Sequence, residues 1–290
     1  MTLVSLDDDA ASERPRAGGS VRRRRTPRPG ALTLGSGIGL GVGMVWFSLL
    51  VLIPLSAVVV KAQAGGWDAY WRTITNAQTW AAIKLTVEQS LLVTLLNIVM
   101  GTLIAWVLVR DHFFGKRALE VLIDVPFALP TIVAGLVLLA LYGPRSPIGI
   151  DIADTRKAVF LALAFVTVPF VVRTVQPVLE ELDLEVEEAA ASLGASRFTT
   201  FRRVVLPSLA PAIGAGAALS FARAISEYGS LVLLSGNLAL RTEVTSVRIL
   251  TYVENGNTAA AAAVASTLLV IALVVIVLVD IVQRRVARRD

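Results

Sequence analysis

Apolar residues in this chain gather into long runs. They do not follow the short periods of a half-buried strand or an amphipathic surface helix. Residues 38–60 make 23 consecutive positions without a charge. As a helix they reach about 35 Å, enough to cross the hydrocarbon core with some tilt. Further runs follow at roughly 91–109, 125–142, 158–175, 209–234 and 258–279. The pattern predicts an all-α integral membrane bundle of six transmembrane helices. Asn97 lies inside the second run, where it can hydrogen-bond a neighbouring helix. Pro126 and Pro130 stand in the first turns of the third, and Thr167 and Pro169 in the fourth. Residues 61–85 read as a loop with Gly65-Gly66 and three interface-type aromatics, Trp67, Trp71 and Trp80.

The polar segments set the orientation. Residues 1–35 carry the run Arg22-Arg23-Arg24-Arg25 amid Gly and Pro, a composition that does not support a core. With both ends in the cytoplasm, inside segments hold 17 of the 27 basic residues and outside loops hold 8. Arg173 and Arg223 fall within spans. This bias agrees with the positive-inside rule. Ala62-Gln63-Ala64 has the form of a signal-peptidase site, but the run before it exceeds a signal h-region, so an uncleaved helix is expected. The expected segments are a basic tail (1–35), a first helix with its external loop (36–85), a transmembrane domain (86–282) and a basic tail (283–290).

The most informative polar stretch is 187–209, EEAAASLGASRFTTFRRVVLPSL. Glu185 to Leu193 consists largely of strong helix formers. Gly194 suits a left-handed helix end, and Ser196 an N-cap for a second helix through Phe198, Phe201 and Val204-Val205. Pro207 and Pro211 are expected to punctuate the way into the next span. A Gly-interrupted helix pair alone would favour a solvated amphipathic linker between two membrane helices. The spacing goes further: Glu188-Ala189-Ala190, three residues, Gly194, nine residues, Val204, one residue, Leu206-Pro207. It resembles the EAA loop, here at about 180–208, of membrane subunits of ATP-binding-cassette importers. Val204 stands where Ile is usual. The resemblance implies a type-1 importer permease fold and a cytoplasmic helix-turn-helix that docks on a separate ATPase subunit.

Arg223 and Glu227 are the charges of the fifth span, four residues apart and so expected on one helix face. They read either as a packing ion pair or as groups lining an anion path. Around them, Phe221 to Ser230 followed by Ser235-Gly236-Asn237 resembles the R-A-x-G-E-[FY]-G…G-N pattern of sulfate and molybdate permeases. Ser226 replaces a usual Gly. Asp124-Val125-Pro126-Phe127-Ala128-Leu129-Pro130-Thr131 looks like the sulfate members. The chain is thus similar to T-type permeases of sulfate/thiosulfate importers, most like actinobacterial forms, over roughly 86–282. The resemblance implies these partners: a homologous W-type permease, two ATPase subunits that bind ATP and Mg, and an extracytoplasmic sulfate-binding protein. Asn97, Thr131, Arg223 and Glu227 are the candidates for path or packing. A molybdate/tungstate permease is the near alternative, and an ion-gradient-driven secondary anion transporter the distant one.

The 290 residues contain no Cys and one His, His112, which removes thiolate chemistry and a multi-His metal site. No G-x-x-x-x-G-K-[ST] occurs; Gly115-Lys116-Arg117 lacks the earlier Gly and the hydroxyl residue. No cofactor and no enzymatic activity are expected of this chain. ATP hydrolysis would have to be supplied by a partner.

Overall fold

The computed structural model describes residues 34–287; the Arg22–Arg25 run, Arg288 and Arg289 lie outside the described residues. By packing, the chain divides into a unit ending at Leu52 and one beginning at Ile53. The first consists of α1 (Leu34–Phe47) and a π-helical turn, Ser48–Leu52. Its large apolar side chains from Ile38 to Leu52, Val42 and Trp46 among them, are exposed, as on a helix that faces lipid.

The second unit begins with α2 (Ile53–Ala62), α3 (Gly66–Thr75) and α4 (Ala77–Arg110). The expected 61–85 loop is therefore largely helical. In α3, Trp67, Tyr70, Trp71 and Ile74 recur at helical spacing, and Ile74 is buried. At the start of α4, the Asn76 side chain accepts from the N–H groups of Gln78 and Thr79 and caps the helix. That cap starts the second span some fourteen residues earlier than its apolar run at 91. The early turns are polar, so a hydropathy reading passes over them.

Next come α5 (Lys116–Ala128), α6 (Thr131–Tyr142) and α7 (Arg156–Glu181). The third span, read as one helix over 125–142, is two helices meeting at 116°. Pro130 explains the break. The residue before a proline is driven out of the α region, and Leu129 is extended at φ −85°, ψ 133°. Pro126, Pro169 and Pro177 lie inside helices that continue past them.

The chain then passes through α8 (Leu184–Ser192), α9 (Arg197–Thr200) and a π-helical turn, Phe201–Val205. It ends with α10 (Leu206–Ile225), α11 (Gly229–Leu234), α12 (Thr245–Glu254) and α13 (Thr258–Ala287). Pro207 and Pro211 do not interrupt the path, which is helical from Arg197 to Ile225. The wide turn absorbs the disturbance: Leu206 N–H reaches back five residues to the Phe201 carbonyl. The fifth span, in contrast, stops at Ile225 and resumes as α11.

Among the described residues, five helical segments are long and apolar enough to cross a membrane, and the bent α5–α6 pair makes a sixth. The second unit is centred on α4, α7 and α10. A Cβ on Gly101 would lie 2.7 Å from Val171 Cβ, and one on Gly216 would lie 2.9 Å from Val171 Cα. The backbones of α4 and α10 therefore close on α7 from two sides, the small-residue packing that serves where lipid is as apolar as the protein. Ala105, Leu108, Val175, Leu179, Val205 and Leu209 fill one end of this core. Val93, Ala162, Leu163 and Leu234 fill the other.

Candidate functional site

The EAA-like stretch folds as two helices around Gly194. In α8, Glu187 is partly buried while Glu188 and Ala189 are exposed. Gly194 adopts φ +84°. Its N–H donates to the Ala191 carbonyl at 2.9 Å, and Ala195 N–H donates to the Ala190 carbonyl at 3.0 Å. That is a complete Schellman C-cap, which needs the left-handed residue that Gly supplies without strain. Ser196 then accepts from Thr199 N–H at 3.2 Å and caps the second helix. Val204 sits in the π-helical turn, and Leu206 and Pro207 open α10. The turn leaves Leu193 89% and Phe198 70% exposed, with Val186 also open. Three large apolar side chains thus stand open on a charged loop, the kind of surface that interaction sites present.

Two links tie this loop to the end of α4. Arg110 Nη2 donates to Glu187 Oε1 at 2.7 Å and to the Leu182 carbonyl at 3.3 Å. The Trp106 ring meets Phe201 edge-on, with centroids 5.5 Å apart.

In the bundle, the two broken spans meet each other. A Cβ on Gly135 of α6 would lie 2.8 Å from both Cα and the carbonyl oxygen of Ser230. A Cβ on Gly229 would strike Thr131 Oγ1 and lie 2.9 Å from Ile132 N. Thr131, Gly135, Gly229 and Ser230 thus bring the two sequence motifs into backbone contact. Glu227 stands in the break before α11, so it does not share a helix face with Arg223 as its spacing suggested. Its buried Oε1 accepts from Ser230 N–H at 2.9 Å and Ser230 Oγ at 3.0 Å. Arg223 Nη1 approaches Oε2 to 2.6 Å, a contact of charge without hydrogen-bond alignment. Arg223 keeps 29% of its side chain exposed. Asn97, buried in α4, donates to Thr167 Oγ1 at 2.8 Å and to Ser220 Oγ at 3.0 Å, joining α4, α7 and α10.

The family described as "Binding-protein-dependent transport system inner membrane component" matches residues 97–288. The chain belongs to this family. It is 43% identical over 259 residues to the sulfate transport system permease protein CysT of Salmonella typhimurium, covering 87% of this chain and 94% of that one. The CysT protein of Escherichia coli matches to the same extent. Among solved structures, a bacterial alginate ABC transporter in complex with alginate pentasaccharide-bound periplasmic protein superimposes with TM-score 0.72 at 19% identity, covering 87% of this chain and 94% of its own. The MetNI methionine ABC transporter reaches TM-score 0.55 at 18% identity, covering 74% and 98%. At those identities the likeness carries the fold alone.

Within this inner-membrane component, two charged contacts escaped the reading of the sequence. The partner of Arg110 lies 77 residues on, out of reach of any local pattern. Arg173, a charge left inside a span, donates from Nε to Asp124 Oδ1 at 2.8 Å and from Nη2 to Oδ2 at 2.5 Å. The unassigned charge was the signal, but the partner needed the fold. Among the described residues, no three His, Cys, Asp or Glu side chains gather as a metal site. The arrangement offers an exposed apolar patch on the loop and two helix breaks in the bundle.

Proposed function

We propose that this chain is the permease subunit of an ATP-driven sulfate importer, with thiosulfate as a second substrate. The observation that carries this reading is the exposed, Gly194-capped helix-turn-helix in a chain 43% identical to sulfate permeases over most of its length. Glu188, Ala189, Ala190, Gly194, Val204, Leu206 and Pro207 belong to the coupling loop, with Leu193 and Phe198 as its apolar contacts. The partners are a homologous W-type permease, two ATPase subunits and an extracytoplasmic sulfate-binding protein. ATP and Mg reside in the ATPase subunits. Closure of their dimer moves the loops, and the bundle switches access from one side to the other. Arg223 faces the anion path, while Glu227, Asn97 and Thr131 hold the helices that line it. Both termini lie in the cytoplasm.

Sulfate uptake in a permease-deletion strain tests the function. Expression of this chain together with its partner genes restores orthovanadate-sensitive uptake, and an ATPase subunit copurifies. Restored uptake that ignores orthovanadate, with no ATPase copurifying, points to a secondary transporter and overturns the reading. For topology, a cytoplasm-active reporter is active when fused after Arg289 and silent after Asn255. The reverse pattern refutes the orientation.

A further inference from the structure

Glu187 and Glu188 are neighbours on α8, so their side chains leave the helix about 100° apart. They divide the work of that face. Glu188 is exposed, free for a docking partner, while Glu187 turns inward and is gripped by Arg110. Arg110 is the last residue of α4, and its side chain is only 14% exposed. The same Nη2 also caps the α7 end through the Leu182 carbonyl. One turn back on α4, Trp106 carries Phe201 from the other arm of the helix-turn-helix. The last turn of α4 therefore touches both arms of the loop.

The rest of α4 makes that contact consequential. Its 34 residues contain no proline and form one helix about 50 Å long. At its far end, Gln78 Nε2 donates to Glu243 Oε2 at 2.7 Å, and Thr79 shares a hydrogen bond with Tyr252 at 2.9 Å. Thr245 N–H donates to Thr86 Oγ1 at 2.9 Å. Those partners lie on α12 and the segment before it. The third span is broken after Ala128 and the fifth after Ile225, whereas α4 runs unbroken from the loop to the α12 contacts. A displaced α4 moves as a rod.

We infer that Arg110 is the positioning residue that transmits movement of the docking loop to α4, with Glu187 as the group it holds. This rests on the reading of the loop as the ATPase-docking element. The grip is suited to movement. Arg110 bonds Glu187 through Nη2 alone, and its buried Nε has no hydrogen-bond partner. A single-nitrogen contact pivots, where a two-nitrogen fork would fix the angle.

The test uses the whole complex with its ATPase subunits, reconstituted in vesicles with the binding protein and sulfate. Sulfate moved per ATP hydrolysed is compared for wild type, Arg110→Ala, Glu187→Leu and the exchange Arg110→Glu/Glu187→Arg. In both single variants the ATPase subunits still copurify. Sulfate per ATP falls about tenfold, within the usual range of coupling between sites. The exchange recovers most of the loss. An unchanged ratio in both single variants overturns the inference. So does an exchange no better than the singles, since only a directed charge contact is restored by reversal. If Arg110→Ala fails to assemble, Glu187→Leu, which keeps the size and cannot accept from Arg110, decides by the same ratio. If the wild-type chain retains no ATPase subunit, the reading of the loop itself fails, a result distinct from any of these.

Discussion

The loop and the bundle both depend on glycine, for opposite reasons. At Gly194 an added Cβ would meet nothing within 4 Å, yet φ is +84°. The demand there is on the backbone angle. At Gly101, Gly135, Gly216 and Gly229 the backbone is ordinary, and an added Cβ would run into another helix. The demand there is on space. The loop is shaped locally, by a Schellman cap and a Ser196 cap built from residues a few positions apart. The bundle is shaped by exclusion, through contacts far apart in sequence. If the loop docks on an ATPase subunit as proposed, the first solution lets it hold its form independently of the bundle. The second brings helix backbones together where no local signal could.

The largest expected effect comes from filling the space. Gly135→Ala sets a methyl against Ser230 Cα and its carbonyl oxygen, both backbone atoms at 2.8 Å. Neither retreats without moving α11. Overpacking of this kind costs about 3 kcal/mol. The amount of assembled complex and its thermal midpoint both drop. Gly115→Ala, where a Cβ meets nothing but φ is +88°, serves as a contrast of the Gly194 kind. If Gly135→Ala assembles as wild type does, the close contact of α6 with α11 is refuted.

Gly194→Val comes next. Its Cβ meets no neighbour within 4 Å, so the cost is that of a left-handed L-residue, about 1–2 kcal/mol. That strain falls on the turn alone. Membrane insertion and the thermal midpoint of the bundle hold, while ATPase copurification and uptake decline together. A variant with normal copurification and normal uptake shows that the turn's shape does not matter to docking.

The same contrast explains what could be read from the sequence. Gly194 and Ser196 announced themselves because a cap is a local device, written within a few residues. The six apolar runs were equally plain, since a span needs only length and composition. The break at Leu129-Pro130 was signalled by Pro130, but a proline inside a helix looks the same on paper: Pro169 and Pro177 bend nothing into two. The break at Ser226–Tyr228 carried no proline. It exists because Glu227 turns its carboxylate onto Ser230 and closes the next helix, a choice made by burial. The pairs Arg110–Glu187 and Asp124–Arg173 link residues 77 and 49 positions apart. No periodicity reaches across such gaps.

Asn97→Leu has a smaller effect. The variant loses two interhelical hydrogen bonds but keeps the volume. Such bonds average well below 2 kcal/mol in membranes, so about 1 kcal/mol is expected. Thr167 retains its own bond to the Leu163 carbonyl at 2.7 Å. The thermal midpoint of the assembled complex falls modestly, and uptake per assembled complex is unchanged. A loss of uptake at normal abundance would move Asn97 from packing to the path.

The smallest effect on stability belongs to Arg223 and Glu227, and it separates the two roles that spacing alone left joined. Replacing Arg223 by itself strands a buried carboxylate, so any loss of uptake would be confounded with damage to the fold. Glu227→Gln avoids this. A glutamine Oε1 still accepts from Ser230 N–H and Ser230 Oγ, so the start of α11 stays capped. The double variant Arg223→Leu/Glu227→Gln therefore removes both charges and keeps the hydrogen bonds that the break depends on. Abundance of the assembled complex stays near wild type. What changes is the potential where Arg223 keeps 29% of its side chain open. A positive group on the path raises the local anion concentration, and its removal lowers uptake per assembled complex at limiting sulfate. Glu227→Gln alone frees Arg223 from its counter-charge. Sulfate is then held more tightly and released more slowly, so half-saturation shifts to lower sulfate as the maximal rate declines. If the double variant transports at the full rate, Arg223 is a packing residue and no part of the anion path.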